Sequence, residues 1–269
     1  MAGAGRRPIG TSTAARPRPV SSGCIAETKD TWLVGVCPSC ATGPGRPFGH
    51  KDGFSLLTCE TCELTYVDPM PTTSELTEFY REYYKTRQYR GKLDSKVRRA
   101  RRRIRRLKRG LTGLRFIDVG CNVGFAVEAA RQSGFQATGI DIDEVAIDEA
   151  RVLFPDCRFE HISVETLASS GQRYDVVYCS EVIEHLPNVA MFLKAIRRLI
   201  SEDGLVFITT PDLGHRSIRH DPYADEFIRP PEHLLYFTRR SIERVMRRHG
   251  FTRVRFQHSF KPTLKVLAR

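Results

Sequence analysis

The sequence predicts an α/β protein built on a doubly wound, mostly parallel sheet, with a small cysteine-rich ribbon and a helical linker in front. Three observations point there. From residue 114 onward, strand-like runs alternate with helix-length segments of 3.6-residue periodicity. The first strand-to-helix junction of that series, Asp118-Val-Gly-Cys-Asn-Val-Gly124, carries glycines where a chain must turn tightly. Ahead of it stand Cys37-Pro-Ser-Cys40 and Cys59-Glu-Thr-Cys62, with 18 residues between the pairs.

At 269 residues the chain can hold one α/β domain of ordinary size and a small appendage. Four segments are expected: a disordered leader over 1–30, the ribbon over 31–70, a helical linker or lid over 71–112, and the sheet domain over 113–269. The leader is rich in Gly, Ala, Ser, Pro and Arg and has no signal-peptide apolar stretch; an organellar transit peptide is its alternative reading. In the linker, Thr73 or Ser74 would cap a helix through Glu75, Leu76, Phe79 and Tyr80, and an Arg-rich helix follows. Strands are expected at 115–119, 136–140, 158–161, 174–179 and 205–209. Helices are expected at 125–133, 145–154, 190–200 and 239–249, with a segment over 252–258 and a last strand at 263–267. The longest apolar runs, such as Leu205 to Ile208, are strand-sized, so a membrane span is not expected and the cytoplasm is the expected compartment.

The formal charge of +12 is concentrated between Lys96 and Arg109, where every charged residue is basic. One reading is a solvated helix face whose apolar stripe is Val97, Ile104, Leu107 and Leu111. The other is a grip on nucleic acid or another anion. No aromatic side chains interleave the cations to stack on bases, which favours the first. The cysteines are distributed as a metal site in a reducing compartment rather than as a disulfide framework. Cys37, Cys40, Cys59 and Cys62 suit tetrahedral zinc, and four thiolates leave no open position, so the expected role is structural.

Two further sites stand out. Gly120 allows a tight turn after Asp118, and Gly124 allows close approach of a ligand and the next helix. Asp141 ends the following strand, where a carboxylate can bridge ribose hydroxyls; its plainer role is a helix-capping acid. The Gly-x-Gly-x-x-Gly fingerprint of a nicotinamide site is missing at Gly120. After the fourth strand, Glu181, Glu184 and His185 have the i, i+3, i+4 spacing of one helical face. With His233, in Pro230-Pro-Glu-His-Leu234, they form a partial shell for Mg²⁺ or another divalent cation, or supply a general base in His185 or His233.

These motifs resemble those of class I S-adenosylmethionine-dependent methyltransferases, whose Rossmann-like first motif usually reads Asp-x-Gly-x-Gly-x-Gly. Asn122 stands at the middle glycine, and Asn tolerates positive φ better than most residues. The resemblance implies that Gly120, Cys121, Asn122 and Gly124 face the amino-acid part of the cofactor, with Ser180 and Glu181 beside it. It implies that Asp141 holds the ribose, that Ile142 flanks the adenine, and that Ser163 and Val164 reach the adenine partly through backbone groups. Glu-Val-x-Glu-His is similar to the ubiquinone-biosynthesis-type O-methyltransferases. A like motif with a distant His builds the metal site of small-RNA 2′-O-methyltransferases, so Glu181, Glu184, His185 and His233 would be ligands. The paired cysteines and the Tyr66–Pro71 exit resemble bacterial methyltransferases that begin with a zinc ribbon.

The expected function is therefore methyl transfer from S-adenosylmethionine to a hydroxyl of a small molecule or glycan. Its alternatives are an RNA 2′-O-methyltransferase gripping RNA with the ribbon and basic helix, and a non-catalytic nucleic-acid-binding protein retaining the cofactor fold. The presence of Gly120, Asp141 and Glu181 argues against the last. Tyr83, Tyr84, Tyr223, Phe227, Tyr236 and Phe237 are candidates either for an acceptor wall or for core.

Overall fold

The structure is a computed structural model that describes residues 35–85, 93–218, 220–223 and 227–269. The expected leader over 1–30 lies outside the described residues. The ribbon region forms three antiparallel strands, β1 (Arg46–Lys51), β2 (Phe54–Thr58) and β3 (Thr65–Asp68). Helix α1 (Thr73–Lys85) follows. Its cap is Thr72, not Thr73 or Ser74: Thr72 Oγ1 accepts from the Glu75 N–H at 3.3 Å, and Glu75 Oε2 accepts from the Thr72 N–H at 2.8 Å. That reciprocal pair satisfies two N-terminal donors at once, which neither expected cap does. The side chains of Tyr83 and Tyr84 lie outside what is described.

Helix α2 (Leu93–Leu107) is the Arg-rich segment. Its stripe of Val97, Ala100, Ile104 and Leu107 is buried against Phe116, Ala126, Ala129, Ala130 and Phe135, which turns the arginines outward except Arg103, half-buried and donating to the Tyr178 hydroxyl at 2.7 Å. This is the 3.6-residue amphipathicity the sequence carries.

The sheet domain alternates as expected: β4 (Arg115–Val119), α3 (Phe125–Arg131), β5 (Gln136–Asp141), α4 (Glu144–Leu153), β6 (Arg158–His161), α5 (Val164–Ala168), β7 (Tyr174–Ser180), α6 (Val189–Leu199) and β8 (Ile200–Pro211). Then come β9 (Leu235–Tyr236), α7 (Arg239–Arg248), β10 (Arg255–Phe256) and β11 (Thr263–Ala268). The order across the seven-stranded sheet is β10-β11-β8-β7-β4-β5-β6. The five strands from β8 to β6 run parallel, and β11 and β10 are antiparallel additions. Strand β4 has β5 on one side and β7 on the other, so the winding reverses there and opens a crevice at the carboxyl ends of β4 and β7. Interior strands such as β7, with Val176, Val177 and Cys179 buried, are apolar on both faces because helices cover both.

The short β9 does not join that sheet. It pairs with β3, Thr65 opposite Tyr236 and Tyr66 opposite Leu235, and so becomes the fourth strand of the ribbon's sheet. Among the described residues no helix is long and apolar enough to cross a membrane.

Candidate active site

Asp118 is buried at the end of β4, and the three residues that turn the chain after it are left-handed: Gly120 (φ +73), Asn122 (φ +49) and Gly124 (φ +81). Asn122 therefore adopts the conformation a glycine would, and its Oδ1 accepts from the Val123 N–H at 2.8 Å. A Cβ on Gly120 would sit 2.4 Å from Val182 Cγ2, and one on Gly139 2.7 Å from Val127 Cγ2. Gly120 thus lets the loop close against Val182 in a left-handed turn, and Gly139 lets Val127, Cys121 and Phe159 pack directly on β5. Cys121 is buried, 2.8 Å from that same Gly139 Cβ position.

Asp141 closes the loop. Its Oδ2 accepts from the Asn122 N–H at 2.8 Å and its Oδ1 from the Asp143 N–H at 3.0 Å. Two of roughly four carboxylate acceptor positions are thus used, and the others remain for hydroxyl donors. Burial raises the Asp141 carboxyl above its ordinary range, while the backbone N–H groups of Asp143, Asn122 and Ile142 pull it down. Asp118 lies well above the ordinary range, through burial first and the charge of Asp141 second. The capping role considered for Asp141 belongs instead to Asp143, whose Oδ1 accepts from Val145 and Ala146.

Beside Asp141 the surface turns apolar. Ile142 is 75% exposed and Val145 71%, so two apolar side chains stand open to solvent there. Ser163 caps α5, its Oγ accepting from the Thr166 N–H at 3.2 Å. Val164 is buried in the core, so only its backbone can meet a ligand.

The acidic cluster corrects one expectation. Glu181, Glu184 and His185 do not share one helical face, because Glu181 is left-handed (φ +58) and only Ile183–His185 form a 3₁₀ turn. Glu181 is accordingly turned to Thr209, whose hydroxyl donates to its Oε1 at 2.8 Å. Since Thr209 has one proton, the Ser180 hydroxyl donates to Thr209 at 2.7 Å. The residues brought together are Glu184, His185 and His233, which each offer a ligand atom within 4.8 Å of the others. Glu181 falls outside that group, so the expected four-ligand set is reduced to three.

Glu184 is 1% exposed; the Thr210 hydroxyl donates to its Oε2 at 3.0 Å, and Oε1 has no hydrogen-bond partner. Burial, reinforced by the nearby charge of Glu181, pushes its carboxyl up to about 8. His185 Nδ1 lies 2.6 Å from the Glu232 carbonyl, which can only accept. Nδ1 therefore carries a proton, and in the neutral ring the lone pair is on Nε2, 3.9 Å from Glu184 Oε1. His233 Nε2 accepts from the Arg229 guanidinium at 3.0 Å, and the two imidazoles meet edge to face at 5.0 Å. Thr209, Thr210 and Arg229 carry no motif; for the two threonines the available signal was the Thr-Thr-Pro-Asp end of β8, and for Arg229 its place just before Pro230-Pro231.

The cysteines converge as their spacing predicts. Sγ of Cys37 and Cys62 are 3.5 Å apart, as are those of Cys40 and Cys59, and all four lie within 4.8 Å of one another. Tetrahedral zinc with Zn–S of about 2.3 Å has sulfur edges of about 3.8 Å, so the cage needs a few tenths of an ångström of expansion. The hydrogen bond from Cys62 holds the Cys37 thiol down to about 5. Of the candidate wall aromatics, Tyr223, Phe227 and Tyr236 pack with the ribbon strands, and Phe237 joins the main core.

Comparison with known proteins supplies the family. A family model described as a methyltransferase domain matches residues 86–255, well over half of the sequence. The chain belongs to that family. It is 35% identical over 125 residues to a ubiquinone biosynthesis O-methyltransferase of Neisseria meningitidis, covering 44% of this chain and 52% of the relative. The counterpart from Alkalilimnicola ehrlichii is 37% identical over 113 residues, covering 40% and 46%. The chain thus spans about half the length of the curated relatives it matches.

Among solved structures, a SAM-dependent methyltransferase from Archaeoglobus fulgidus superposes with a TM-score of 0.55 at 17% identity, covering 71% of this chain and 99% of that one. Magnesium protoporphyrin IX methyltransferase from Synechocystis, with bound SAH, gives 0.50 at 17% identity, over 73% and 94%. At such identities the likeness is one of fold. By family this is a methyltransferase domain, and its fold is that of the SAM-dependent methyltransferase from Archaeoglobus fulgidus.

Proposed function

We propose that the protein transfers a methyl group from S-adenosylmethionine to a hydroxyl of a small molecule, in keeping with the relatives named for ubiquinone biosynthesis O-methylation. The observation that carries the reading is His185. The Nδ1–H contact to the Glu232 carbonyl puts the neutral ring's lone pair on Nε2, 3.9 Å from the buried Glu184 at the rim of the sheet's switch point. When bound, S-adenosylmethionine supplies a methyl on a sulfonium that an acceptor oxygen displaces in line.

Gly120 and Asn122 leave room for the amino-acid end of the cofactor, Asp141 accepts from the ribose hydroxyls, and Ile142 covers one side of the adenine. Glu181, fixed by Thr209, stands beside the methionyl part. His185 Nε2 takes the acceptor's hydroxyl proton as the carbon–oxygen bond forms, and Arg229 holds His233 in place. A divalent cation on Glu184, His185 and His233 would lower the hydroxyl's pKa and would ionise Glu184. His185 would then orient as a ligand, with the proton leaving to solvent. Zinc on Cys37, Cys40, Cys59 and Cys62 would be structural.

The test is His185→Ala assayed with radiolabelled S-adenosylmethionine against a panel of phenols and catechols. Methyl transfer is expected to fall at least 100-fold while S-adenosylhomocysteine affinity stays within threefold. Wild-type-like turnover in the variant overturns the assignment.

A further inference from the structure

The candidate site lies at the carboxyl ends of the parallel strands. A second concave feature lies at the other rim. It is a cleft of about 430 Å³ lined by Arg101, Arg105, Lys108, Arg109, Gln132 and Ser133. Residues 132 and 133 follow the end of α3 and precede β5, so they border the amino ends of the strands. The cleft is therefore separated from the methyl-transfer site by the length of the sheet.

Its charge is uncompensated. Each of Arg98, Arg101, Arg102, Arg105 and Arg109 has another of the set three or four residues away, so they form one stripe along the α2 surface and the turn after it. All five are exposed, and among the described residues none pairs with a carboxylate. The stripe cannot relax by rolling the helix, because Val97, Ala100, Ile104 and Leu107 lock the opposite face into the core. Lys108 is fixed as well: its Nζ donates to the Ser133 carbonyl at 2.8 Å and lies over the Phe135 ring. Holding so many like charges together on an ordered helix costs stability that an anionic partner would return.

The kind of anion follows from what the surface lacks. A bilayer would need an exposed apolar face, and that face of α2 is already used inside the protein. A single strand would need aromatic platforms for its bases, and none lines the cleft. A duplex hides its bases and presents phosphates, for which the guanidinium fork is a bidentate partner. From Arg98 to Arg109 the stripe runs about 16 Å at helical rise, the span of about four or five phosphates along one strand.

We propose that this face binds the phosphodiester backbone of a nucleic-acid duplex, without reading sequence, as a surface distinct from the methyl-acceptor site. Fluorescence anisotropy with mixed-sequence 24-base-pair RNA and DNA duplexes tests it on the full chain. Four phosphate contacts predict that log affinity falls against log salt with a slope of about −3.6. The exposed triple variant Arg101→Gln/Arg105→Gln/Arg109→Gln should lower that slope by about 2.7 and the affinity at 50 mM salt at least tenfold. S-adenosylhomocysteine affinity should not change. Absence of duplex binding by the wild type at 50 mM salt, or equal binding by the triple variant, overturns the proposal. So does tighter association with vesicles containing phosphatidylglycerol, at equal phosphate concentration, which would assign the face to a lipid surface.

Discussion

Replacing Asp141 with Ala separates a cofactor contact from a merely structural acid. The carboxylate accepts from Asn122 and Asp143 with one lone-pair position on each oxygen, leaving two for the ribose hydroxyls. A hydrogen bond to a charged group contributes about 1.5–3 kcal/mol net. Losing two at the ribose then costs about 3–6 kcal/mol, or roughly 10²- to 10⁴-fold in affinity for S-adenosylhomocysteine. The variant also strands two backbone N–H groups, at about 1–3 kcal/mol of stability each. Calorimetry is therefore run well below its melting temperature. Asp143→Ala is the control, because Asp143 caps α4 two residues away; it should lose about 1 kcal/mol of stability with affinity nearly intact. The ribose assignment is refuted if Asp141→Ala binds within threefold of wild type, or if Asp143→Ala weakens binding as much.

Three further outcomes are expected. Gly124→Ala places a Cβ 2.4 Å from Phe159 Cζ at φ +81, so thermal denaturation should report a loss of about 2–5 kcal/mol, partly restored by adding Phe159→Leu. Cys62→Ser should lower bound zinc, measured by atomic emission, and should cut methyl transfer more than it cuts cofactor affinity. Burial of His249 against Ser39 holds its imidazole below the ordinary range. The unfolded chain then takes up the proton first, so the stability His249 contributes is present above about pH 6.5 and is lost as pH falls below it. Urea denaturation at pH 7.5 and 5.5 should show a smaller difference for His249→Gln.

What the sequence revealed divides by range. Strands β4 and β6 fall on the expected residues because each is a short run bounded by turn-forming residues, which is local information. The loop after β4 is legible for the same reason: Gly120, Asn122 and Gly124 each meet a backbone demand set within a few residues. Helix α5 was passed over because five residues carry too little periodicity, although Ser163 caps it. The Glu181–His185 spacing suggested one helical face, but φ is settled by packing that spacing does not report. Thr209 and Thr210 reach Glu181 and Glu184 across 28 and 26 residues, and only the register of β7 against β8 brings them there.

The ribbon's bearing on catalysis rests on the same kind of long-range pairing. Its knuckles touch α7 through Arg248 to the Cys40 carbonyl, Arg244 to the Thr61 carbonyl, and the exposed ion pairs of Glu63 with Arg240 and Arg244. Exposed ion pairs contribute little, about 0–1 kcal/mol each, so these contacts orient more than they hold. The backbone bonds are different. Val67 donates to the Leu234 carbonyl at 3.0 Å, and Leu234 donates to the Glu184 carbonyl at 2.8 Å. A continuous chain of main-chain hydrogen bonds thus runs from β3 through the residue after His233 to the 3₁₀ turn that carries Glu184 and His185. Three strands of this size with a thin apolar face are marginal without a staple. Whatever ties the four thiols together therefore also fixes the wall on which both imidazoles stand. This makes Cys62→Ser a selective lesion: the loop at β4 and β5 shares no hydrogen bond with β3 or β9, so its affinity for cofactor should survive a loosened ribbon.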